Sequence, residues 1–366
     1  MPAVLSLRDL NRATLDRQLL LRRSPLPVAE AVRHLCGLQA QTTHSWYAGL
    51  WGRLADFDPQ QVVTMMEDRS LVRIALQRST IHLVTADDAL ALRPLVQTVG
   101  ERSFASNWGK QLPGVDLAEV VAAGVSLLEE KPLTFNDLGK RLAEKWPDRD
   151  GQSMAQAVRT YAALVQPPPR GLWGRSGLAV HVPAQHYLRR PLATDPSIDE
   201  LIVRYLTAFG PASVQDAQTW SGLTRLGEVF ERLRPRLHAY ADEQGRELFD
   251  VPEAPRPAAD VAAPVRFLYD FDNILLSYAD RTRVLDPAYR KLLWPLSNMA
   301  LGSVLLDGFV RASWRPEKSK GKAHVTVTSF QPFPARQRSA IEAEGLRLLE
   351  FLAPGAEHDV RFTTAD

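Results

Sequence analysis

SIDELIVRYLTAFGPASVQDAQTWSGLTRLGEVFERLRPRLHAYADEQGRELFDV, residues 197–251, decides the architecture. Ser197 is a helix cap ahead of an apolar stripe, so a helix is predicted over Ile198 to Phe209. Gly210 and Pro211 end it and open Ala212 to Trp220. Ser221-Gly222 turns tightly into Leu223 to Leu233. Leu237 to Asp242 and Glu247 to Val251 then flank Gln244-Gly245, a hairpin signal. Three helices followed by a hairpin is the winged-helix order.

Upstream, the same order recurs twice. Helices are predicted over Val28 to Leu38, Ser45 to Leu54 and Pro59 to Asp68, after an extra one through Leu7, Leu10, Leu15 and Leu19. Leu71 to Leu76 and Thr80 to Val84 form the hairpin, joined by Gln77, Arg78 and Ser79. The second copy runs Asp116 to Glu130, Phe135 to Trp146 capped by Thr134, and Gln152 to Val165. Its strands are read at Gly171 to Gly174 and Leu178 to Val182.

Pro252 to Pro264 reads as a linker, after which the period changes to that of strands. Strands are expected at Val265 to Tyr269, Ser303 to Leu306, Phe309 to Trp314, Ala323 to Phe330 and Asp359 to Phe362. Asp307-Gly308 is a two-residue hairpin turn, and Lys318 to Lys322 around Gly321 is a basic hairpin tip. Arg336 to Leu352 is a closing helix. The predicted fold is α+β. Three tandem winged-helix modules (1–100, 101–192, 193–253) precede a small β-barrel-like domain with one helix (254–366).

Of 366 residues, 45% are apolar and 23% charged, which suits two or three globular cores. The formal charge of +2 leaves the question of nucleic acid to where the cations cluster. One cysteine, Cys36, excludes an intrachain disulfide and a four-cysteine zinc or iron–sulfur site. His181 and His186 straddle Pro183, and no histidine pair has helical metal spacing, so no metal and no cofactor are expected. Signal-peptide and membrane-span patterns are missing, as are coiled-coil heptads. A monomer in the cytoplasm, associated with the nucleoid, is expected.

Phosphate-loop, nucleophile-elbow, zinc-protease and helix-hairpin-helix patterns are also missing. The densest polar cluster on apolar ground is Gly37-Leu38-Gln39-Ala40-Gln41, followed by Thr42, Thr43 and His44. In an extended segment Gln39 and Gln41 point the same way, and two amides can hold a water or a sugar edge. On residue types alone, helix-end or solvent contacts are the better reading of both. Asp270 and Asp272 are the rival acid/base pair, read as tying a loop to Arg281 or Arg283.

Gly37 to Gln41, followed by Tyr47, Gly49, Leu50, Trp51 and Arg53, resembles the N-terminal segment of the AlkZ/YcaQ family of winged-helix DNA glycosylases. Arg78-Ser79-Thr80-Ile81-His82 is similar to that family's wing. Ala208 to Ala212 with Trp220 to Leu223 resembles its third winged helix. Phe271-Asp272-Asn273, Asp280-Arg281, Leu306-Asp307-Gly308 and Trp314-Arg315 resemble its C-terminal signatures. The resemblance implies that Gln39 and Gln41 are catalytic, as in the azinomycin-type branch, where the YcaQ-type branch has Gln-x-Asp. Ala40 between them is small, which is expected to widen the site. Arg78 and His82 are expected beside the site, although His82 reads equally well as a wing residue bonded to backbone.

An amide is a poor base but can orient a water, which suffices when the leaving group is already activated. A guanine alkylated on its imidazole nitrogen is cationic and leaves readily. The expected activity is therefore hydrolysis of the glycosidic bond of 7-alkylguanine, including bulky adducts and interstrand crosslinks, in double-stranded DNA. Arg315, Lys318, Lys320 and Lys322 on the hairpin, with Arg225 and Arg232 near the third wing, are the expected DNA contacts. A winged-helix transcription regulator and a non-catalytic lesion-binding protein are the alternatives.

Overall fold

The computed structural model describes residues 3–294 and 300–365. The decisive stretch folds as its caps dictate. Ser197 Oγ accepts from Glu200 N at 3.2 Å and starts the helix Ile198–Phe209. Ser213 and Asp216 form a reciprocal capping box on Val214–Ser221. Gly222, at φ +80°, ends that helix, and a Cβ there would lie 2.9 Å from Val99 Cγ1. Gly227–Leu233 and the hairpin His238–Asp242/Glu247–Asp250 follow.

The two upstream units share this order. The first runs Val28–His34, Leu38–Gln39, Ser45–Trp51, Pro59–Glu67, Leu71–Ala75, Ile81–Thr85. The second runs Leu117–Glu130, Leu133–Thr134, Phe135–Lys145, Gly151–Tyr161, Leu164–Gln166, Val180–Pro183. In each, the short strand between the first two helices pairs antiparallel with the last strand of the hairpin. A single bridge, Ala212 to Phe249, takes that place in the third unit.

The structure differs from expectation where tertiary pairing overrides local pattern. The strand expected at Gly171 to Gly174 is a turn, with both glycines at positive φ. Leu164–Gln166, predicted as helix end and loop, is the strand instead. It pairs through Arg73↔Gln166 and Ile74↔Val165, and so joins the first two hairpins into one six-stranded sheet. Helices Ala86–Leu95 and Gln97–Asn107 were not foreseen. Their signal was Thr85, whose hydroxyl caps Asp88 N, but Pro94 and Gly100 broke up the pattern behind it. Ala3–Leu5, also unforeseen, pairs in parallel with His238–Asp242, against Tyr240 to Asp242.

The barrel expectation is corrected. Strands Arg266–Leu268, Gly302–Leu306, Phe309–Ser319, Lys322–Ser329 and Glu357–Thr364 form an open five-stranded sheet in that order. The last two pair in parallel, and no bridge joins the first strand to the last among the described residues. Helix Ala335–Leu352 covers one face. Its Ile341, Leu348 and Leu349 bury against Phe267, Val325, Val327 and Val360, so side chains rather than strand closure fill that core.

Ala48 packs into the same core, which fastens the first unit to the C-terminal sheet. Gly49 lies so close to Tyr269 that a Cβ would sit 2.6 Å from its ring. Arg53 Nη2 and Nη1 pair with the two Asp272 oxygens at 2.7 and 2.9 Å, fully buried. Removing one partner strands the other charge out of water. Asp272→Ala is therefore expected to cost about 3–5 kcal/mol of stability, read by denaturant titration. A cost below about 1 kcal/mol would mean that the pair does not clamp the two units.

Candidate active site

Gly37 sets the entry into the short strand. At φ +86° it adopts a conformation closed to most residues, and a Cβ would lie 2.6 Å from Val84 Cγ1. The strand then aligns Leu38 with Leu83 and Gln39 with His82. Alternation places Leu38 and Ala40 in the core with Trp46 and Tyr47, both fully buried. Ala40 therefore does not widen the site, as its small size suggested. It faces away from the glutamines. Gln39 sits beside His82 on the opposite face, and Gln41 follows on the same side.

Hydrogen-bond donors fix both amides. Arg78 Nη2 donates to Gln39 Oε1 at 2.7 Å, and Ile81 N donates to Gln41 Oε1 at 3.2 Å. A guanidinium and a backbone N–H can only donate, so the oxygen of each carboxamide faces its anchor. Each amide keeps its two N–H donors and one lone pair for a ligand. Gln39 is buried and Gln41 exposed, so the pair spans from sheet to solvent.

Arg78 reaches this position from a strained turn. It and Ser79 have φ of 55° and 59°, a left-handed conformation that costs about 1–2 kcal/mol per residue. The guanidinium also donates to the Trp220 carbonyl, so the third unit holds it from behind. Burial, with Arg281 nearby, pushes its pKa down to about 10. Among the described residues no carboxylate pairs with it. It is a nearly buried cation beside the glutamines.

His82 is bonded to backbone and aligned with Gln39. Nδ1 lies 2.9 Å from the Thr80 carbonyl, so that nitrogen carries the proton and Nε2 is the acceptor. Burial first, and then Arg78, push its pKa down to about 3. The ring is neutral at pH 7.

Two supporting groups escaped the sequence reading. Arg73 Nη2 donates to the carbonyl of Ala40 at 2.9 Å and so holds the strand between the two glutamines. Its signal was a lone charge in the apolar run Leu71-Val72-Arg73-Ile74-Ala75. Asn273 Nδ2 donates to Gly37 O at 2.7 Å and to Leu35 O at 3.3 Å, fixing the turn into the strand. The Asp270/Asp272 expectation is also revised. Asp272 is structural, but its partner is Arg53. Asp270 accepts from Thr42 Oγ1, and burial raises its pKa.

The expected DNA contacts divide into two groups. Arg315, Lys320 and Arg225 are exposed and have no acidic partner among the described residues. Lys318 Nζ donates to Leu352 O at 2.5 Å, and Lys322 pairs with Glu357 at 2.9 Å. Arg232 is tied to Asp199, with Nε 3.0 Å from Oδ2. Charge run alone could not separate the free cations from the paired ones, because the acids lie 33 to 35 residues away.

The model of the family described as DNA glycosylase AlkZ-like matches residues 32–351. The chain belongs to the AlkZ-like DNA glycosylase family. It is 25% identical over 359 residues to the interstrand DNA cross-link repair glycosylase of Streptomyces sahachiroi, covering 90% of this chain and 91% of that protein. The solved structure of Streptomyces sahachiroi DNA glycosylase AlkZ is similar at a TM-score of 0.77 and 20% identity, over 98% of this chain and 100% of that one. In this AlkZ-like chain, Gln39, Gln41, Arg78 and His82 all lie within the matched residues.

The buried histidines make stability pH-dependent. His82, held near 3, and His181, pushed by burial to about 4, refuse protons that the unfolded chain accepts near 6.5. Their contribution is full above about pH 6.5 and is lost as pH falls towards their folded values. Each adds a slope of up to about 1.4 kcal/mol per pH unit in that window. Wild-type melting temperature is expected to fall between pH 6.5 and 4.5, and His82→Gln to fall less steeply. Parallel curves for the two proteins would show that His82 is protonated in the fold.

Proposed function

We propose that this chain is a monofunctional DNA glycosylase that releases cationic 7-alkylguanine, including bulky and crosslinked adducts, from double-stranded DNA. We read its three helix-and-hairpin units as winged-helix modules, over 1–100, 101–192 and 193–253, that grip the duplex together with the C-terminal sheet. The observation that carries the reading is the site itself. Two anchored amides lie beside a neutral imidazole acceptor, and among the described residues no carboxylate pairs with the neighbouring arginine.

The chemistry follows from that set. The C1′–N9 bond breaks and its electron pair neutralises the cationic base, so no acid is needed on the leaving group. The sugar becomes an oxocarbenium ion. A water held by the Gln39 and Gln41 amides adds through oxygen to C1′, and its proton passes to the His82 Nε2 lone pair and then to solvent. With its pKa near 3, His82 is a weak base, which matches an electrophile that is already a cation. Arg78 would repel that cation unless a DNA phosphate lay between them, which makes the phosphate flanking the lesion its natural partner.

Gln39→Ala and Gln41→Ala should each slow release of 7-methylguanine, and the double variant by on the order of 10²-fold, with affinity for lesion DNA nearly unchanged. Wild-type release by the double variant would remove the glutamines from the mechanism. Binding to undamaged DNA should weaken with salt, by about 0.9 in log–log slope for each phosphate contact. Alanine at Arg315, Lys320 and Arg225 together should lower that slope by about 2–3. Alanine at Arg232 should hardly change it, because that guanidinium is already paired. Equal slopes for wild type and the triple variant would make those cations a solvated surface.

A further inference from the structure

The segment that carries the glutamines runs on into the lining of a large cavity. Thr42, Thr43, His44 and Ser45 form its floor, and the stem of the basic hairpin forms its far wall. Its volume is about 730 Å³, in the range that takes a drug-sized ligand and well beyond what one purine base fills. Rings and aliphatic groups line it, chiefly Trp173, Tyr269, Trp314, Leu301 and Leu352. These walls are fixed. Trp314 Nε1 donates to Leu268 O at 2.7 Å, and Trp173 packs on Tyr47 and Phe351 at ring-centroid distances of 4.8 and 5.1 Å.

One acidic group faces this apolar space. Asp270 Oδ2 accepts from Thr42, and the Ser45 hydroxyl beside the carboxylate favours its charged form, which burial opposes. Arg315 and Lys318 also line the cavity. A partly buried carboxylate among ring faces selects a ligand that brings it a donor.

Taking the glycosylase reading as its basis, we propose that this cavity receives the appended arm of a bulky guanine adduct. The arm it fits is a flat, largely apolar group carrying a hydrogen-bond donor, such as an aryl amine, directed at Asp270. The guanine and its sugar stay outside, at Gln39 and Gln41. The alkylating group then supplies binding energy that an unadorned methyl cannot. A cationic donor is the best match, because burial already raises the pKa of the Asp270 carboxyl and a nearby positive charge would offset that.

The test uses the full chain and three duplexes. Each holds one guanine modified at N7 by a methyl group, by a half-mustard with an aminoaryl arm, or by the same arm lacking its amine. Asp270→Ala should lower kcat/KM and affinity on the aminoaryl duplex by about 10- to 100-fold, as loss of a hydrogen bond to a charged group would. Any loss on the other two should be smaller and equal between them, since both feel only the missing Thr42 contact. Asp270→Asn, which keeps the shape, serves if the alanine variant melts early. Equal loss on all three duplexes would mean that the cavity holds the base or supports the fold, and it would overturn the proposal. No loss on any would overturn it equally. If the wild type releases no base at all, the glycosylase reading is what fails, and the aminoaryl-selective affinity difference still decides the cavity.

Discussion

The buried bidentate pair between Arg53 and Asp272 is the constraint on which the site depends. It ties the helix after Gln39 and Gln41 to the C-terminal domain at 2.7 and 2.9 Å. Its neighbours act on the same segment from both ends. Asn273 holds the carbonyls of Leu35 and Gly37, Tyr269 lies against Gly49, and Asp270 accepts from Thr42. Four of the five residues from 269 to 273 thus brace the chain from residue 35 to residue 53. Neither half of this contact would hold its shape alone, because each buries polar groups that only the other satisfies.

Several groups that looked like independent motifs turn out to be parts of such braces. Asp307, in the hairpin turn, pairs with Arg8 at 2.8 Å, and Gly308 O accepts from Asn11 Nδ2 at 2.8 Å. Asp280 pairs with Arg246 at 2.6 Å. Arg17 and Asp250 form a second fully buried pair, and Gln18 donates to Ala208 O. Polar residues spaced far apart in sequence therefore carry the relative placement of the units, while apolar stripes carry the units themselves. That division explains why a candidate site built where units meet can be rigid although Gln39 lies on a two-residue strand and Gln41 beyond its end.

The sequence was legible wherever structure is local. Ser197 and Thr134 cap helices through contacts three residues away, and Asp307-Gly308 makes the turn its identity requires. It was illegible where partners are remote. The strand Leu164–Gln166 exists because Arg73 and Ile74 pair with it, and Ala3–Leu5 is a strand only against Tyr240 to Asp242. Within the site, the shared side of Gln39 and Gln41 follows from alternation alone. The roles of Arg73 and Asp270 do not, since a charge in a strand and a carboxyl after a tyrosine gain meaning only from what folds over them. Ala40 shows the same limit from the other direction. Its size was readable, but the face it occupies was set by the register with Leu83 and His82.

The parallel pairing of Ala3–Leu5 with His238–Asp242 has a consequence for how the chain is made. Ala3–Leu5 finds its partner only after more than 230 further residues have been synthesised. At translation rates of about 5–20 residues per second, it waits for on the order of ten seconds or more. During that wait the inner face of helix Leu7–Arg17, with Leu10 and Leu15, has nothing to bury against, and Arg17 has no Asp250. Contacts of such sequence separation form late and slowly. This segment thus needs shielding until residues 240–250 have been made, and its docking is the step that seals the third unit.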